Sequence, residues 1–214
     1  MAIKTYNGTS FSNVSDVRVF NGTAFKSVNA VNVYNGSAWE KVFPDGAVSG
    51  TVKTWNVSSI WTYLNSGSRQ SAHLHEPMQG SYDGTASNAR RSLLLFDYAA
   101  IQAALKNAKI EKVELYLKRL NTSHGQATAY AAVKTHNYAS APTKWTGSDF
   151  GDADSGSPSF TRGQGKWIEL NNAVGENFRD GTIKGLCLDA DTNYSLSRYI
   201  KYSSDIKLRI TYSK

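Results

Sequence analysis

The sequence predicts an all-β protein of layered sheets with one short helix, preceded by a small module of β-hairpin repeats. Three observations predict this class. An Asn-Gly pair recurs at the centre of a repeated unit near the N-terminus. Apolar and polar residues alternate along several later segments with the period of two that is typical of strands. Glycine, serine, asparagine, threonine and aromatic residues are abundant, a mixture that favours strands joined by tight turns.

Three copies of one unit occupy residues 3–42 with a period of fourteen residues. Their central pairs are Asn7-Gly8, Asn21-Gly22 and Asn35-Gly36. Asn-Gly between alternating apolar residues favours a two-residue type I′ turn, because both central positions need positive φ. Each unit is therefore predicted to be a hairpin. In the third, Val33 should face Ala38, while Tyr34 and Trp39 should lie diagonally on the opposite face.

Both faces of each predicted hairpin carry apolar groups, and a single hairpin is marginal in water. Stacking of the units, or of several chains, would bury these groups. The module is therefore predicted to oligomerise or dock through Phe20, Phe25, Tyr34 and Trp39. A self-contained small sheet without a partner is the alternative. The units resemble the short aromatic-Asn-Gly-x-x-aromatic repeats of phage tail and capsid-fibre proteins, which implies a homo-oligomer, with a trimer as the first expectation.

A Pro-Asp-Gly turn at residues 44–46 breaks the repeat and marks a domain boundary. The predicted organisation is a repeat module at 1–43, a linker at 44–50 and a sheet domain at 51–214.

The sheet domain is organised around residues 90–118. Leu93 and Leu95 fall on one face of an extended segment and Leu94 and Phe96 on the other, so both faces are apolar, as in a strand between two layers. The following residues lose the period of two and gain alanine and leucine, which suit a short helix capped by Asp97. Residues 110–118 alternate again, so they predict a strand with one buried face and one wet face, the wet face including Glu114.

Further strands are predicted on both sides of this segment, at 51–63, 126–135, 166–170, 183–188 and 206–212. Residues 65–88 are predicted to be a long polar loop or a pair of edge strands. Residues 137–161 read as a second long loop, and residues 177–182 as a turn.

Several short motifs resemble, in sequence order, those of DNRLRE-type domains. They are Arg90 to Asp97, Ile101 with Ala108 to Leu117, Thr143 to Trp145, Gly165 to Leu170, Gly181 to Leu188, Tyr199 to Ser203, and Ile206 to Tyr212. The resemblance covers residues 51–214 and implies a jelly-roll β-sandwich with Trp145 and Trp167 in its core. Members of that family are mostly non-catalytic binding or accessory modules of secreted polysaccharide enzymes, surface proteins and phage virions. The chain departs from the family pattern in its alanine-rich helix and at 199–203.

The formal net charge of +7 permits attraction to nucleic acid, anionic cell-wall polymers or acidic polysaccharide. The basic residues stand singly apart from the pairs Arg90-Arg91 and Lys118-Arg119, and no longer Lys/Arg block occurs, so no nucleic-acid partner is predicted. No run is long and apolar enough to enter a membrane, and the N-terminus lacks the apolar core of a secretory signal. Together with the resemblance, this predicts a virion protein released by host lysis.

Two histidines two residues apart, His73 and His75, would share one face of a strand, and imidazole suits zinc. A third ligand would have to come from Glu76 or His136. No specific spacing motif supports this site, and two loop histidines without a metal are the alternative.

The acidic loop that contains Asp152 and Asp154, and a second at 189–193, offer clustered oxygen ligands that suit calcium. Neither loop completes an EF-hand, and ordinary turn chemistry explains the same residues. No cofactor is predicted, and a structural calcium is left open.

No enzyme is predicted, because no two carboxylates are paired convincingly for glycan hydrolysis and no nucleophile motif is present. Sugar binding by a sandwich needs exposed aromatic faces with polar groups around them. The candidates are Tyr116 and Tyr130 on outer strand faces and Tyr82, Tyr138 and Tyr194 in loops. Outward tyrosines are also common simply because they form strands well.

The sequence therefore predicts a non-catalytic virion protein of a tail, baseplate or head fibre. Its repeats would bind one another or other virion proteins, and its jelly roll would bind host cell-surface polysaccharide. The alternatives are a carbohydrate-binding module of a polysaccharide-degrading enzyme and a capsid decoration protein without a ligand.

Overall fold

The computed structural model describes residues 4–6, 11–13, 18–20, 23, 25–27, 31–34, 39–43, 50–122, 124–146, 151, 153, 156–190 and 193–214. The chain forms two compact units, Met1–Gly50 and Thr51–Lys214. The predicted all-β class is confirmed, because strands dominate the described residues and only two short helices occur among them.

The strands are β1 Lys4–Tyr6, β2 Phe11–Asn13, β3 Arg18–Phe20, β4 Phe25–Ser27, β5 Val31–Tyr34, β6 Trp39–Phe43, β7 Thr51–Asn56, β8 Ser59–Leu64, β9 Met78–Ser81, β10 Ala89–Leu95, β11 Lys109–Lys118, β12 Thr128–Tyr130, β13 Val133–His136, β14 Ser159–Thr161, β15 Gly165–Leu170, β16 Gly185–Leu188, β17 Ile200–Lys201 and β18 Lys207–Ser213. The helices are α1 Tyr98–Leu105 and α2 Asn172–Asp180, and single 3₁₀ turns span Ser71–His73, Ala86–Asn88 and Leu196–Arg198.

Each repeat of the first unit forms one antiparallel strand pair: β1 with β2, β3 with β4, and β5 with β6. The predicted hairpins are confirmed, but the predicted two-residue turn is wrong. Tyr34 pairs directly with Trp39, and Val33 pairs with Glu40 instead of Ala38, so four residues join the paired ends. Four-residue connections also close hairpins, and they move the register by two residues, which keeps each side chain on its face.

The other two repeats have the same spacing, with Tyr6 opposite Phe11 and Phe20 opposite Phe25. In each repeat, the last paired residues before the connection are therefore both aromatic. The side chains proposed for oligomerisation, those of Phe20, Phe25, Tyr34 and Trp39, lie outside the described part of the structure.

Two large antiparallel sheets build the second unit, and β12 and β14 form a separate antiparallel pair. Sheet I runs β8-β10-β16-β13, and β9 lies on the β16 side of β10, because Arg90 pairs with Leu64 on one side and Gly80 on the other. Sheet II runs β15-β11-β18-β7. The first strand β7 lies beside the last strand β18, and the chain crosses repeatedly between the sheets, which is the strand order of a jelly roll.

The main core lies between the two sheets. Leu94 and Leu186 of sheet I belong to the same buried cluster as Leu115, Leu208 and Ile210 of sheet II. All five side chains are fully buried, and each contributes about 1.5–3 kcal/mol by leaving water. The alternation predicted for β11 and β18 places these residues inward.

A second, smaller cluster covers the outer face of sheet I. It consists of Tyr63, Leu93, Trp145 and Cys187, all buried. Strand β10 is therefore apolar on both faces because both faces are covered, as predicted. Trp145 is buried as predicted, and the single cysteine of the chain, Cys187, is buried in the same cluster.

Helix α1 confirms the predicted helical insert. The Asp97 carboxylate accepts a hydrogen bond from the Ala100 N–H at 3.0 Å, which caps the first turn. Ile101 and Leu105, four residues apart, bury one face of the helix.

Helix α2 replaces the turn predicted at 177–182. Val174 and Phe178 bury its inner face, and Gly181 ends it in the left-handed conformation at φ 75°. Gly175 packs against β11, where a Cβ atom would lie 2.8 Å from the Ile110 side chain. This close approach explains a glycine in mid-helix, which otherwise costs stability.

Arg119 anchors the loops at one end of the sandwich, although its side chain is 1% exposed. Its guanidinium donates to the backbone carbonyls of Ala127 at 3.0 Å and Phe160 at 2.7 Å, and also to that of Gln126. Burial lowers the pKa of Arg119, but the three carbonyls accept hydrogen bonds from the buried guanidinium and so stabilise it.

Strands β9 and β17 form a short branch at one end of sheet I. Ile200 pairs with Gln79, and Lys201 pairs with Met78. Gly80 has φ 74°, and a Cβ atom there would lie 2.5 Å from the Arg198 carbonyl oxygen. The residue stretch just before β17 therefore packs closely against β9 at this branch.

Candidate functional site

A cleft of about 450 Å³ opens beside the β9–β17 branch. This volume lies within the range of about 300–1,000 Å³ that is usual for ligand sites. The lining residues are Gln70, His73, Met78, Tyr82, Arg90, Thr122, His124, Tyr199 and Lys201. They come from six separate segments of the chain, which the jelly-roll connections bring to one end of sheet I.

Tyr82 gives the cleft its exposed aromatic surface, because 40% of its area is accessible. The loop that carries it is held by Asp83, whose carboxylate accepts hydrogen bonds from Asn88 Nδ2 at 2.7 Å and from the Thr85 N–H at 3.0 Å. A further bond comes from the Ser81 hydroxyl at 2.8 Å. These bonds hold the pKa of Asp83 well below its usual range and fix the tyrosine on a tight turn.

Two further rings complete the aromatic wall. The Tyr82 ring contacts His124 edge-on at 5.6 Å and Tyr199 edge-on at 6.2 Å between ring centroids. Tyr199 is only 8% exposed, and burial raises the pKa of its hydroxyl. Tyr82 is thus the accessible platform, and Tyr199 supports it from inside.

Arg90 supplies a cation at the start of β10. Its Nη1 donates to the Ala89 carbonyl at 3.1 Å and weakly to the Ser87 carbonyl at 3.4 Å. Partial burial lowers its pKa, and Asp83 acts on it through space without forming an ion pair. Within the described residues, no carboxylate pairs with this guanidinium.

Lys201 and His73 form the other basic side of the cleft. Glu76 accepts from Lys201 Nζ at 2.6 Å and contacts His73 Nδ1 at 2.7 Å. The hydrogen bond from Lys201 lowers the pKa of Glu76 below its usual value, and the hydrogen bond with His73 adds a smaller effect in the same direction. Glu76 is not a lining residue, so it orients two donors that are.

The cleft therefore combines an exposed aromatic face with four basic side chains in its lining, those of His73, Arg90, His124 and Lys201. No aspartate or glutamate occurs among the lining residues described. Such a surface can stack on a sugar ring and donate hydrogen bonds to its oxygens.

Of the five tyrosines proposed from the sequence for sugar binding, Tyr82 lines the cleft, and the other four lie elsewhere. Tyr130 is 43% exposed and lies beneath the Arg198 guanidinium at 5.8 Å. Tyr138 packs beside the second cluster, and the Tyr194 hydroxyl accepts from Asn65 at 3.4 Å. Tyr116 lies on the outer face of sheet II. None of these four lines the cleft.

The outer face of sheet II also corrects the position predicted for Trp167. This residue lies opposite Tyr116, with ring centroids 5.4 Å apart, and is half-buried instead of being part of the core. The Arg209 guanidinium lies over it at 4.0 Å. Trp167 follows the alternation of β15, in which Ile168 and Leu170 point inward.

The histidine pair does not form the predicted shared face, because His73 ends a 3₁₀ turn instead of lying in a strand. His73 binds Glu76, while His75 contacts the Ile60 carbonyl at 2.8 Å. His136, the other candidate ligand, is fully buried. No group of three His, Cys, Asp or Glu side chains among the described residues is placed to hold a metal ion. Asp152 and Asp154 lie outside those residues.

Glu114 is 9% exposed, so the fully wet face predicted for it is wrong. It accepts from Arg209 Nε at 2.8 Å and from Lys112 Nζ at 2.9 Å. Burial alone would raise the pKa of Glu114, but the hydrogen bonds from Arg209 and Lys112 hold this pKa below its usual value.

No family model matches the chain, and the comparison with curated proteins found no match. The resemblance to DNRLRE-type domains and to phage repeats stays a prediction.

No helix in the described residues has the length and apolar character needed to cross a membrane.

The cleft contains several residues that sequence reasoning did not select, above all Arg90, His124, Tyr199 and Lys201. Two signals pointed toward it. Arg90 belongs to an adjacent basic pair of the sequence, and Tyr82 was among the loop tyrosines. Nothing in the sequence indicated that β9 and β17 would pair and bring these residues together.

Proposed function

We propose that this chain is a non-catalytic structural protein of a phage-like virion, in a tail, baseplate or head fibre, whose second unit binds a glycan of the host surface. The observation that carries the binding role is the cleft, in which the exposed Tyr82 ring stands beside donor groups. Stacking on an aromatic ring surrounded by polar groups is a common way for proteins to hold sugars.

The basic lining favours an acidic glycan. Arg90 has hydrogen-bond capacity beyond its two backbone contacts, and a guanidinium matches a carboxylate in shape and charge. Lys201 and His73 add further donors to the lining of the cleft. A uronate or another carboxylated sugar satisfies both the aromatic and the cationic side.

A binding role without catalysis is favoured because glycan hydrolysis requires two carboxylates facing one cleft. Glu114 is already paired with Arg209 and Lys112, on another face of the protein. Glu76 is engaged by Lys201 and His73. The described cleft residues offer a ligand donors and a stacking surface, and no acid–base pair of carboxylates.

The first unit is proposed to assemble the protein. Its strand pairs share one register, and each is too small to bury a core alone. Association with copies of itself and with other virion proteins would cover the apolar groups of the repeats. A homotrimer remains the first expectation for the assembly, and the virion is the proposed location.

Binding is tested with the full chain on an array that carries acidic glycans, the same glycans with their carboxyl groups reduced, and neutral glycans. Tyr82→Ala should weaken binding by roughly tenfold, since stacking contributes about 0.5–1.5 kcal/mol beyond the buried area. Tyr130→Ala is the matched control, because Tyr130 has nearly the same exposure outside the cleft. It should bind as the unmodified chain does.

Two results contradict the proposal. Failure of the folded chain to bind any glycan, together with tight binding to a virion shell, would favour a decoration protein. Release of shorter oligosaccharides from the bound glycan would show an enzyme.

Assembly is tested by light scattering on the intact chain and on a chain that starts at Gly50. An oligomer that becomes a monomer on truncation is the expected result. A monomer in both cases would remove the assembly role and favour a stand-alone carbohydrate-binding module.

A further inference from the structure

Gln79 is a completely buried polar side chain in the middle of β9. It does not line the cleft, but Met78 beside it does. A buried amide is costly unless its donors and acceptors are all paired, so its partners show what holds it there.

All four hydrogen-bonding positions of the Gln79 amide are occupied. Nε2 donates to the backbone carbonyls of Tyr130 at 3.0 Å and Arg198 at 3.1 Å. Oε1 accepts from the Ala132 N–H at 3.0 Å and from the Tyr202 hydroxyl at 3.1 Å. Two carbonyls require donors and an N–H requires an acceptor, so these partners also fix which end of the amide is oxygen.

Two of these partners flank cleft residues in the sequence. Arg198 comes directly before Tyr199, and Tyr202 comes directly after Lys201, and both Tyr199 and Lys201 line the cleft. The backbone pairing of this segment with β9 is only two residues long. The Gln79 side chain therefore adds an anchor at each end of a very short strand.

The neighbouring Gly80 completes this arrangement. Its positive φ and missing side chain let the Arg198 carbonyl approach the backbone of β9. Gln79 then reaches that same carbonyl with its amide N–H.

We propose that Gln79 is a positioning residue of the cleft. It fixes the segment 198–202 so that the Tyr199 ring supports Tyr82 and the Lys201 ammonium faces the ligand. This role rests on the proposed glycan-binding function, because it has a consequence only if the cleft binds a ligand.

The test compares Gln79→Met, which keeps the length of the side chain but removes its hydrogen bonds, with a control of equal stability loss. Truncation of Leu170 in sheet II provides the control, because Leu170 is buried in the main core and is not a cleft residue. Leu170→Val and Leu170→Ala are compared, and the one whose melting temperature matches that of Gln79→Met is used. The probe is the acidic oligosaccharide that the unmodified full chain binds best on the array.

Gln79→Met is expected to bind this probe at least about tenfold more weakly than the control of matched stability. A purely structural role predicts the same affinity for both variants. The coupling is measured with Lys201→Met: if Gln79 acts through its segment, the double variant loses less than the sum of the two single losses.

The outcomes separate the two proposals. Absence of glycan binding by the unmodified chain overturns the proposed function itself. Binding by the unmodified chain, with equal affinity for Gln79→Met and its matched control, overturns the positioning role alone. Additive losses for Gln79→Met and Lys201→Met also overturn it.

Discussion

The cleft and the outer face of sheet II are built from the same kinds of side chain but differ in how far those side chains satisfy one another. On sheet II, Arg209 covers Trp167 at 4.0 Å and is itself held by Glu114 at 2.8 Å. In the cleft, Tyr82 keeps 40% of its surface accessible, and Arg90 has no ion-pair partner among the described residues. Cations and aromatic rings stabilise the fold where they meet each other, and they are free for a ligand where they do not.

Both regions need a folded sandwich, and the largest expected effect concerns the pH at which it stays folded. His136 is fully buried, and burial lowers its pKa from 6.5 to about 4. Its Nδ1 accepts from the Tyr138 N–H at 3.1 Å, so Nε2 carries the proton and donates to the Leu94 carbonyl at 3.2 Å. The folded protein therefore holds a neutral imidazole.

As the pH falls, the His136 imidazole of the unfolded chain takes up a second proton before that of the folded protein does. The stability that His136 confers is thus complete above pH 6.5 and is lost as the pH falls toward 4, by about 3 kcal/mol in total. Urea unfolding at several pH values measures this loss. His136→Gln has no such group, so its stability should fall less over the same interval. Equal slopes for the two proteins would contradict the prediction.

The two arginines give the most direct test of the difference between the regions. Arg90→Gln should weaken binding of an acidic oligosaccharide by roughly 10- to 100-fold, the usual loss for a hydrogen bond to a charged group. It should weaken binding of the carboxyl-reduced oligosaccharide much less. Arg209→Gln should leave both affinities unchanged and lower the melting temperature instead, because Glu114 loses one of its two partners.

Isothermal calorimetry with both ligands and a thermal melt of each variant are the measurements. If Arg209→Gln weakens binding as much as Arg90→Gln does, then the cleft is not the site. If Arg90→Gln affects both ligands equally, then it does not recognise the carboxylate.

Trp167→Ala should destabilise the second unit by about 1–2 kcal/mol, since it removes a half-buried ring and its cation–π contact. Glycan binding should be unaffected. Thermal melts combined with the array measure both effects. A loss of binding without a loss of stability would show that the sheet II face, and not the cleft, is the sugar platform.

The smallest expected effect is the loss of stability at low pH that depends on Glu114, on the outer face of sheet II. Glu114 has a lowered pKa, so the stability it gives is present above its unfolded pKa and is lost as the pH falls through its folded pKa. Glu114→Gln should reduce this acid dependence and slightly lower stability at neutral pH. Urea unfolding between pH 3 and 7 measures it. An unchanged acid slope would show that the pairing with Arg209 and Lys112 contributes nothing.

Much of the second unit could be predicted because its signals are local. The alternation of β18 and the Asp97 cap before α1 each depend on a few neighbouring residues, and both predictions agree with the structure. Helix α2 was missed because it carries a glycine at its centre, where glycine disfavours a helix. The i, i+4 pair Val174 and Phe178, followed by Gly181, was the available signal.

The cleft could not be predicted because its residues meet only through long-range pairing. Lys201 and Met78 are joined by the β9–β17 branch, whose second strand has two residues and no pattern that a sequence can reveal. Tyr116 illustrates the opposite case, in which the local pattern is clear and the neighbours are not. Its alternation was read correctly, but Trp167 and Lys207 on adjacent strands lie against it.

The anchoring of Arg119 has a consequence for how this protein can diverge. Arg119 binds main-chain carbonyls, those of Gln126, Ala127 and Phe160, so it is indifferent to the side chains at those positions. The segment just before them carries Thr122 and His124, which form part of the cleft rim. Natural variation can therefore exchange the rim residues, and with them the ligand preference of the proposed site, while the frame that presents them stays the same.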